Sequence, residues 1–206
     1  MIYNPPKFSQ YKLIAGFDEA GRGSIAGPVV AAGVILDKTK TIENLNDSKK
    51  VSAKKREQLR KKIIKHCIDY YISVVPNNII DEINILQASL YAMTNGFYSI
   101  QTKADLFLVD GNKLPPNFPK EQSIAVVGGD GTFAAIAAAS ILAKTTRDSI
   151  MLQFDKTFTK YHFKQNKGYP TKKHIQALYN YGITPIHRQS FKPIAQSSFY
   201  KCKIEN

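Results

Sequence analysis

The sequence predicts a mixed α/β fold: a β-sheet flanked by helices, with an additional helical segment at the C-terminal end. Three observations lead there. Short runs rich in Val, Ile and Ala, bounded by Gly, Pro or Asp, recur through the first two-thirds of the chain. Longer segments with helical apolar spacing lie between them. The last third reads mainly as helix, so the strands gather into one sheet with helices packed against it.

The first strand is expected over 13–17 and the second over 28–36, separated by a turn containing Gly21, Gly23 and Gly27. Ser52 is placed to cap a helix running through residue 66. Alternation returns over 68–75, and helical spacing covers 83–100. A short apolar run over 106–109 ends at Asp110, and a weaker strand over 123–127 runs into Gly128-Gly129-Asp130-Gly131. Residues 133–152 read as a third helix and 171–181 as a fourth, stopped by Gly182 and Pro185. With 206 residues, 43% of them hydrophobic, the chain can bury one sizeable core. We expect a single domain over 1–206, its core at about 12–150 and a basic helical segment at about 151–206.

Lys and Arg number 29 against 16 Asp and Glu, a formal charge of +13, which points to a polyanionic partner or an anionic membrane surface. The start of the chain carries no apolar stretch of signal-peptide type, and the longest apolar run, 133–143, is well short of the roughly 20 residues of a membrane span. A soluble, cytoplasmic protein is expected. Cys67 and Cys202 form no Cys/His cluster, so neither zinc nor a disulfide framework is indicated. Residues 151–206 hold ten Lys or Arg but only Asp155 and Glu205, interleaved with Tyr161, Phe163, Tyr169, Tyr179 and Tyr181. Basic groups bind phosphates and aromatic rings stack on bases or sugars, so this segment reads as a nucleic-acid surface. The helix at 52–66, with seven basic residues, reads rather as a solvated face.

Three carboxylate positions share one context: Asp18 with Glu19 after the first strand, Asp110 after Leu-Phe-Leu-Val, and Asp130 after Ala-Val-Val-Gly-Gly. Residues just past neighbouring strand ends converge in a crevice. Four carboxylates there could not all stay ionised without a cation, because like charges raise one another's pKa. Hard oxygen ligands of this kind suit Mg²⁺ or Mn²⁺, and a carboxylate-held pair of such ions is an arrangement used in phosphodiester hydrolysis. Each residue also has a plainer reading. Asp130 could be a helix N-cap and Asp110 a turn residue in Asp-Gly-Asn. Asp18-Glu19 resists such a reading, since its flanks are apolar or Gly. The glycines let backbone approach a ligand, with Arg22 free to fork onto a phosphate.

The stretch GFDEAGRGSIAGPVVAAGVIL (16–36) resembles the opening of bacterial ribonuclease HII, the type 2 ribonuclease H. The similarity continues in LNDSKKVS (45–52), DEINILQASLYAM (81–93), FLVDGN (107–112), AAASILAKTTRD (137–148), KGYPTKKH (167–174) and GITPIHRQSF (182–191). It runs in the family's order from about residue 12 to 193. The resemblance implies an RNase H-like mixed sheet and an endonuclease that cuts RNA in RNA–DNA hybrids and at single ribonucleotides embedded in duplex DNA. It implies Asp18, Glu19, Asp110 and Asp130 as ligands of two Mn²⁺ or Mg²⁺ ions, and a Gly21-Arg22-Gly23 loop that meets the ribose 2′-OH and its phosphate. It further implies Tyr169 as the aromatic packed on the sugar at the RNA–DNA junction, with Lys49 and Lys144 as phosphate or active-site contacts. Family members commonly carry Lys where this chain has Gly128. Ribonuclease HIII is the alternative within the enzyme class, and a basic binding module without activity is the alternative outside it. Some relatives contact a replication clamp through a short C-terminal motif, which the tail SSFYKCKIEN matches poorly. A monomer is expected.

Overall fold

The computed structural model describes residues 8–45, 48 and 51–196. Its strands are β1 (Ile14–Ala20), β2 (Val29–Leu36), β3 (Cys67–Val75), β4 (Leu106–Asp110) and β5 (Ser123–Val126), forming one sheet in the order β3-β2-β1-β4-β5. β1 to β3 make an antiparallel meander. β4 and β5 then add in parallel on the open side of β1. The helices are α1 (Ala53–His66), α2 (Asn77–Ile83), α3 (Ile85–Ser99), α4 (Ala134–Thr157), α5 (Phe163–Asn166) and α6 (Lys172–Tyr181). The mixed sheet flanked by helices is as expected. No helix among the described residues is long and apolar enough to cross a membrane.

Strand periodicity divides the core. Phe17, Val29, Ala31, Ile35, Phe107 and Val109 point to one face and pack with Ile80 of α2 and Ala88, Ala92 and Met93 of α3. Val30, Ala32 and Val34 point to the other face, against Leu59 and Ile63 of α1 and the alanine-rich side of α4. Each large side chain fully buried this way contributes about 1.5–3 kcal/mol. The alanines also let α4 approach β1 very closely. A Cβ on Gly16 would lie 2.2 Å from the carbonyl carbon of Ala135, so only Gly fits beneath the helix. This contact sets the first turn of α4 over Gly16 and brings Ser140, further along the helix, to Asp18.

Three elements depart from the expectation. The helix expected over 83–100 forms as α3, and the departure is a separate short helix before it, α2, where no helix was expected. Asn84 adopts φ +66° and its side chain accepts from the N–H groups of Leu86 and Gln87, ending α2 and capping α3 in one step. β1 continues through Asp18 and Glu19 to Ala20, because β2 stays paired with it over that whole length. α4 runs past residue 152 to Thr157, since Phe154 at its end packs into a C-terminal cluster of Ile25, Met151, Tyr161, Phe163, Leu178 and Ile186. The tail residues Phe199, Tyr200 and Cys202, and with them the clamp motif, lie outside the described residues.

Candidate active site

Asp18 sits on β1 where one neighbour stops and the other continues. The parallel register with β4 is Phe17 opposite Val109, so the next step brings Asp18 beside Asp110. Asp110 ends β4, and its Oδ1 accepts from the N–H of Gly129 at 2.8 Å. That bond ties the strand end to the 3₁₀ turn Gly129–Gly131, which carries the buried Asp130 directly before α4. Asp130 is not the N-cap of α4. Phe133 occupies that position without a side-chain cap bond. Asp110 is the last residue of a strand before its turn. Asp18 and Asp110 thus lie side by side at one end of the sheet, with Glu19 next along β1 and Asp130 in the turn that leads into α4.

Burial is the main force raising the Asp18 pKa well above its ordinary value, and the charges of Glu19 and Asp110 add to it. Hydrogen bonds from the Ser140 hydroxyl and the Glu19 N–H, the latter 2.7 Å, oppose the shift. Ser140 also touches the Ser48 hydroxyl at 2.9 Å. Among the described residues, no three Asp, Glu, His or Cys side chains are drawn together tightly enough to cage an ion unaided. The donor chemistry nevertheless fits a divalent ion: hard oxygens, those of Asp18 and Asp130 buried, with mutual repulsion around Asp18 that a cation would relieve. Mg²⁺ commonly takes only one or two carboxylates and completes its shell with water and phosphate oxygens.

Arg22 is not free as the sequence suggested. Its Nη1 pairs with Glu19 Oε1 at 3.2 Å, partly neutralising the adjacent carboxylates, while its guanidinium stays half exposed. The glycine-rich loop is held from below by two arginines that the sequence reading passed over. Arg147 of α4 is fully buried and donates to the carbonyls of Pro28, Ala26 and Lys167. Arg188, equally buried, donates to the carbonyls of Gly27 and Arg22. Burial and the charge of Arg147 lower the Arg188 pKa to about 9, so it remains a cation at neutral pH. Gly21 has φ +99°, and a Cβ there would stand 2.0 Å from Arg147 Nε, which is why this turn needs Gly. The available signal was a charged residue on the apolar side of a helix, Arg147 in α4. Ser140 gave a similar one amid Ala and Ile.

Tyr169 is 37% exposed beside this loop, and a Cβ on Gly23 would meet its ring at 3.8 Å. Arg147 Cζ lies 5.6 Å from the ring centroid. The structure therefore places Asp18 beside Asp110, with Glu19 next along β1 and Asp130 in the turn before α4, and the loop directly after β1 carries Gly21, Arg22 and Gly23, the last against Tyr169. Lys144 is engaged with Asp148 at 2.7 Å, an i,i+4 pair on α4. Lys49 lies outside the described residues. Gly128 has a left-handed backbone and open space around the position of a Cβ.

The basic surface is smaller than its composition suggested. In the C-terminal segment Lys156, Lys160, Lys164, Lys172, Lys173 and Lys192 are exposed, but Arg188 is core. Tyr161 and Phe163 are also core, whereas Tyr179 and Tyr181 are exposed with Tyr169. On α1, Arg60 bonds to the Thr145 and Thr146 hydroxyls and Arg56 pairs with Asp148, so both fasten α1 to α4. The remaining lysines of that helix face outward, as a solvated face would.

The family model described as Ribonuclease HII matches residues 15–194. The chain is 52% identical over 181 residues to ribonuclease HII of Endomicrobium trichonymphae, covering 88% of this chain and 86% of that one. Its fold is similar to the crystal structure of ribonuclease H2 from Pyrococcus horikoshii OT3, with a TM-score of 0.74 at 26% identity over 94% of this chain and all of that one. Bst-RNase HIII, solved in complex with Mn²⁺, shares the fold at a TM-score of 0.68 and 12% identity, over 89% of this chain and 68% of that one. A carboxylate edge beside a glycine-arginine-glycine loop, on a sheet of this topology and with this similarity over most of its length, places the chain in the ribonuclease HII family.

Proposed function

We propose that this chain cuts the RNA strand of RNA–DNA hybrids and the bond 5′ of ribonucleotides embedded in duplex DNA, leaving 3′-OH and 5′-phosphate ends. Membership of the family makes it a ribonuclease H, a hydrolytic endonuclease. The observation that carries the finer reading is the meeting of Asp18 and Asp110 one loop away from Gly23 and Tyr169. On this reading a divalent ion held at Asp18 and Asp110 would stand next to the ring and loop that meet one sugar.

Asp18, Glu19, Asp110 and Asp130 would hold two Mg²⁺ or Mn²⁺ ions. Bound there, such ions lower the pKa of water and stabilise charge on the phosphate and leaving oxygens. The chain's own residues bind and orient. The Gly21-Arg22-Gly23 backbone reaches the 2′-OH, the group by which a protein tells RNA from DNA. Arg22, half exposed and paired only through one side with Glu19, can turn its other edge to a phosphate. Tyr169 offers its ring to the sugar 3′ to the cut. The 2′-OH is a recognition handle and not the nucleophile, which is why 3′-OH ends are expected.

Cleavage of duplex DNA containing one ribonucleotide, with Mg²⁺, Mn²⁺ or EDTA, tests this reading. Cutting that persists in EDTA, or cyclic phosphate ends, would refute it. Hybrid binding with no cutting under any ion would favour a binding module.

A further inference from the structure

Two histidines in the basic C-terminal segment are removed from solvent. His174 on α6 is 0% exposed, and His187 in the segment that follows is 1% exposed. Their Nε2 atoms stand 3.0 Å apart, so one must donate and the other accept. The backbone decides which. The Thr184 N–H can only donate, and it meets His187 Nδ1 at 2.8 Å. That nitrogen is therefore bare, and the proton of a neutral ring sits on Nε2. His187 Nε2–H then donates to His174 Nε2, leaving the His174 proton on Nδ1. His174 Nδ1 is 2.9 Å from the carbonyl oxygen of Tyr169, which can only accept. Every link has a single direction, and all close together only if both rings are neutral.

The surroundings favour that state. Tyr161 and Phe163 pack around the pair, with Tyr161 to His187 and Phe163 to His174 both at 5.3 Å between ring centroids. The Tyr161 hydroxyl donates away from the rings, to the carbonyls of Tyr181 and Gly182. The Arg188 guanidinium is turned onto the glycine-rich loop. Burial lowers the pKa of both histidines.

The ends of this chain of bonds are informative. At one end His187 bridges Ala26 through its backbone, and Ile186 accepts from the N–H of Gly27, so it is anchored on the glycine-rich loop. At the other end stands Tyr169, whose carbonyl accepts from the Thr171 N–H as well, at 2.8 Å, and whose preceding backbone is tied to the loop and to α4. The Tyr169 N–H donates to the Asn166 carbonyl, Gly168 O accepts from Ile25 N–H, and Lys167 O accepts from Arg147. We propose that His174 and His187 are positioning residues, a neutral one-directional hydrogen-bond relay that sets the Tyr169 backbone, and so its ring, relative to the loop that reads the ribose. The proposal rests on the role given to Tyr169 above.

Ring ¹⁵N NMR of the unmodified protein at neutral pH tests the relay itself. The expected spectrum has both rings neutral, His187 protonated on Nε2 and His174 on Nδ1. A His174 protonated on Nε2, or a charged ring, overturns the relay even if variants fail to fold. Cleavage kinetics test its purpose. His174→Phe keeps the ring volume and removes both nitrogens. It should narrow the preference for a single embedded ribonucleotide over continuous RNA by about 2- to 13-fold, the rate equivalent of one net hydrogen bond. The same change in a Tyr169→Ala background should narrow it no further. His174→Asn, which returns a donor near the place of Nδ1, should recover part of the loss. An unchanged preference in His174→Phe, where Tyr169→Ala does narrow it, refutes the positioning role. An unchanged preference in Tyr169→Ala refutes the sugar contact and with it the purpose of the relay, an outcome the ring spectrum separates from failure of the relay.

Discussion

Replacing Asp18 by Asn should stabilise this protein while abolishing its activity. Asp18 is 6% exposed and faces the charges of Glu19 and Asp110. Adjacent strands are about 4.8 Å apart. Two like charges at about 5 Å repel by about 3 kcal/mol at an effective dielectric constant of 20. Burial is the larger cause of the raised Asp18 pKa, and protonation also relieves part of this repulsion. The sign follows from that shift: a carboxyl with a folded pKa above its unfolded one binds protons better when folded, so its ionisation destabilises as pH rises through the raised value. At neutral pH without divalent ions, Asp18→Asn should therefore gain about 1–3 kcal/mol, because Asn keeps the oxygen that accepts from the Glu19 N–H. For a chain of this size that is a Tm rise of roughly 2–12 °C. Thermal melts in EDTA, then across a Mn²⁺ titration, measure it. The wild type should gain stability with the ion by mass action and the variant should not. A variant that melts no higher than wild type in EDTA, or that responds equally to Mn²⁺, refutes the reasoning.

Acid should act through His187, whose pKa falls from 6.5 to about 3 on folding. The unfolded chain then binds the proton more readily, so stability is complete above about pH 6.5 and is lost as pH falls toward 3, with a ceiling of about 5 kcal/mol. Urea melts at several pH values in the Asp18→Asn background, which removes the opposing carboxyl, should display that loss, and a flat profile would contradict it. Arg147→Met should cost about 3–5 kcal/mol, since the carbonyls of Ala26, Pro28 and Lys167 lose a buried donor together, and chemical denaturation reads this directly. Hybrid affinity should fall with log salt at roughly 0.7 to 0.9 per phosphate neutralised, and a flat dependence would reassign the exposed lysines to solvated surface.

Much of this molecule was legible in one dimension because its signals are local. The Ser52 cap is a single hydrogen bond between residues three apart, with Lys55 N–H as the donor. The strands at 28–36 and 68–75 were visible from apolar runs and alternation, and β2 and β3 begin within one residue of those limits. The acidic positions showed themselves by following apolar runs, although only Asp110 ends its strand and β1 continues through Asp18 and Glu19. The helix over 83–100 was visible from its apolar spacing, whereas α2 before it was not, because seven residues ended by the positive φ of Asn84 are too few to establish a helical period.

The amino-acid order by itself determined the sheet, its flanking helices and the candidate acidic and glycine-rich segments, because each is set by the period of apolar residues and the conformational limits of a few neighbours. Tertiary structure alone decided which partners those residues have. Arg22 turns to Glu19 and Lys144 to Asp148, while Tyr161, Phe163 and Arg188 leave the basic surface for the core. Arg147 reaches Pro28 from 119 positions away, and Asp18 meets Asp110 through the pairing of β1 with β4. Such contacts depend on how the sheet closes against α4, and a charge or a ring has the same one-letter code whether it ends in water or beneath a helix.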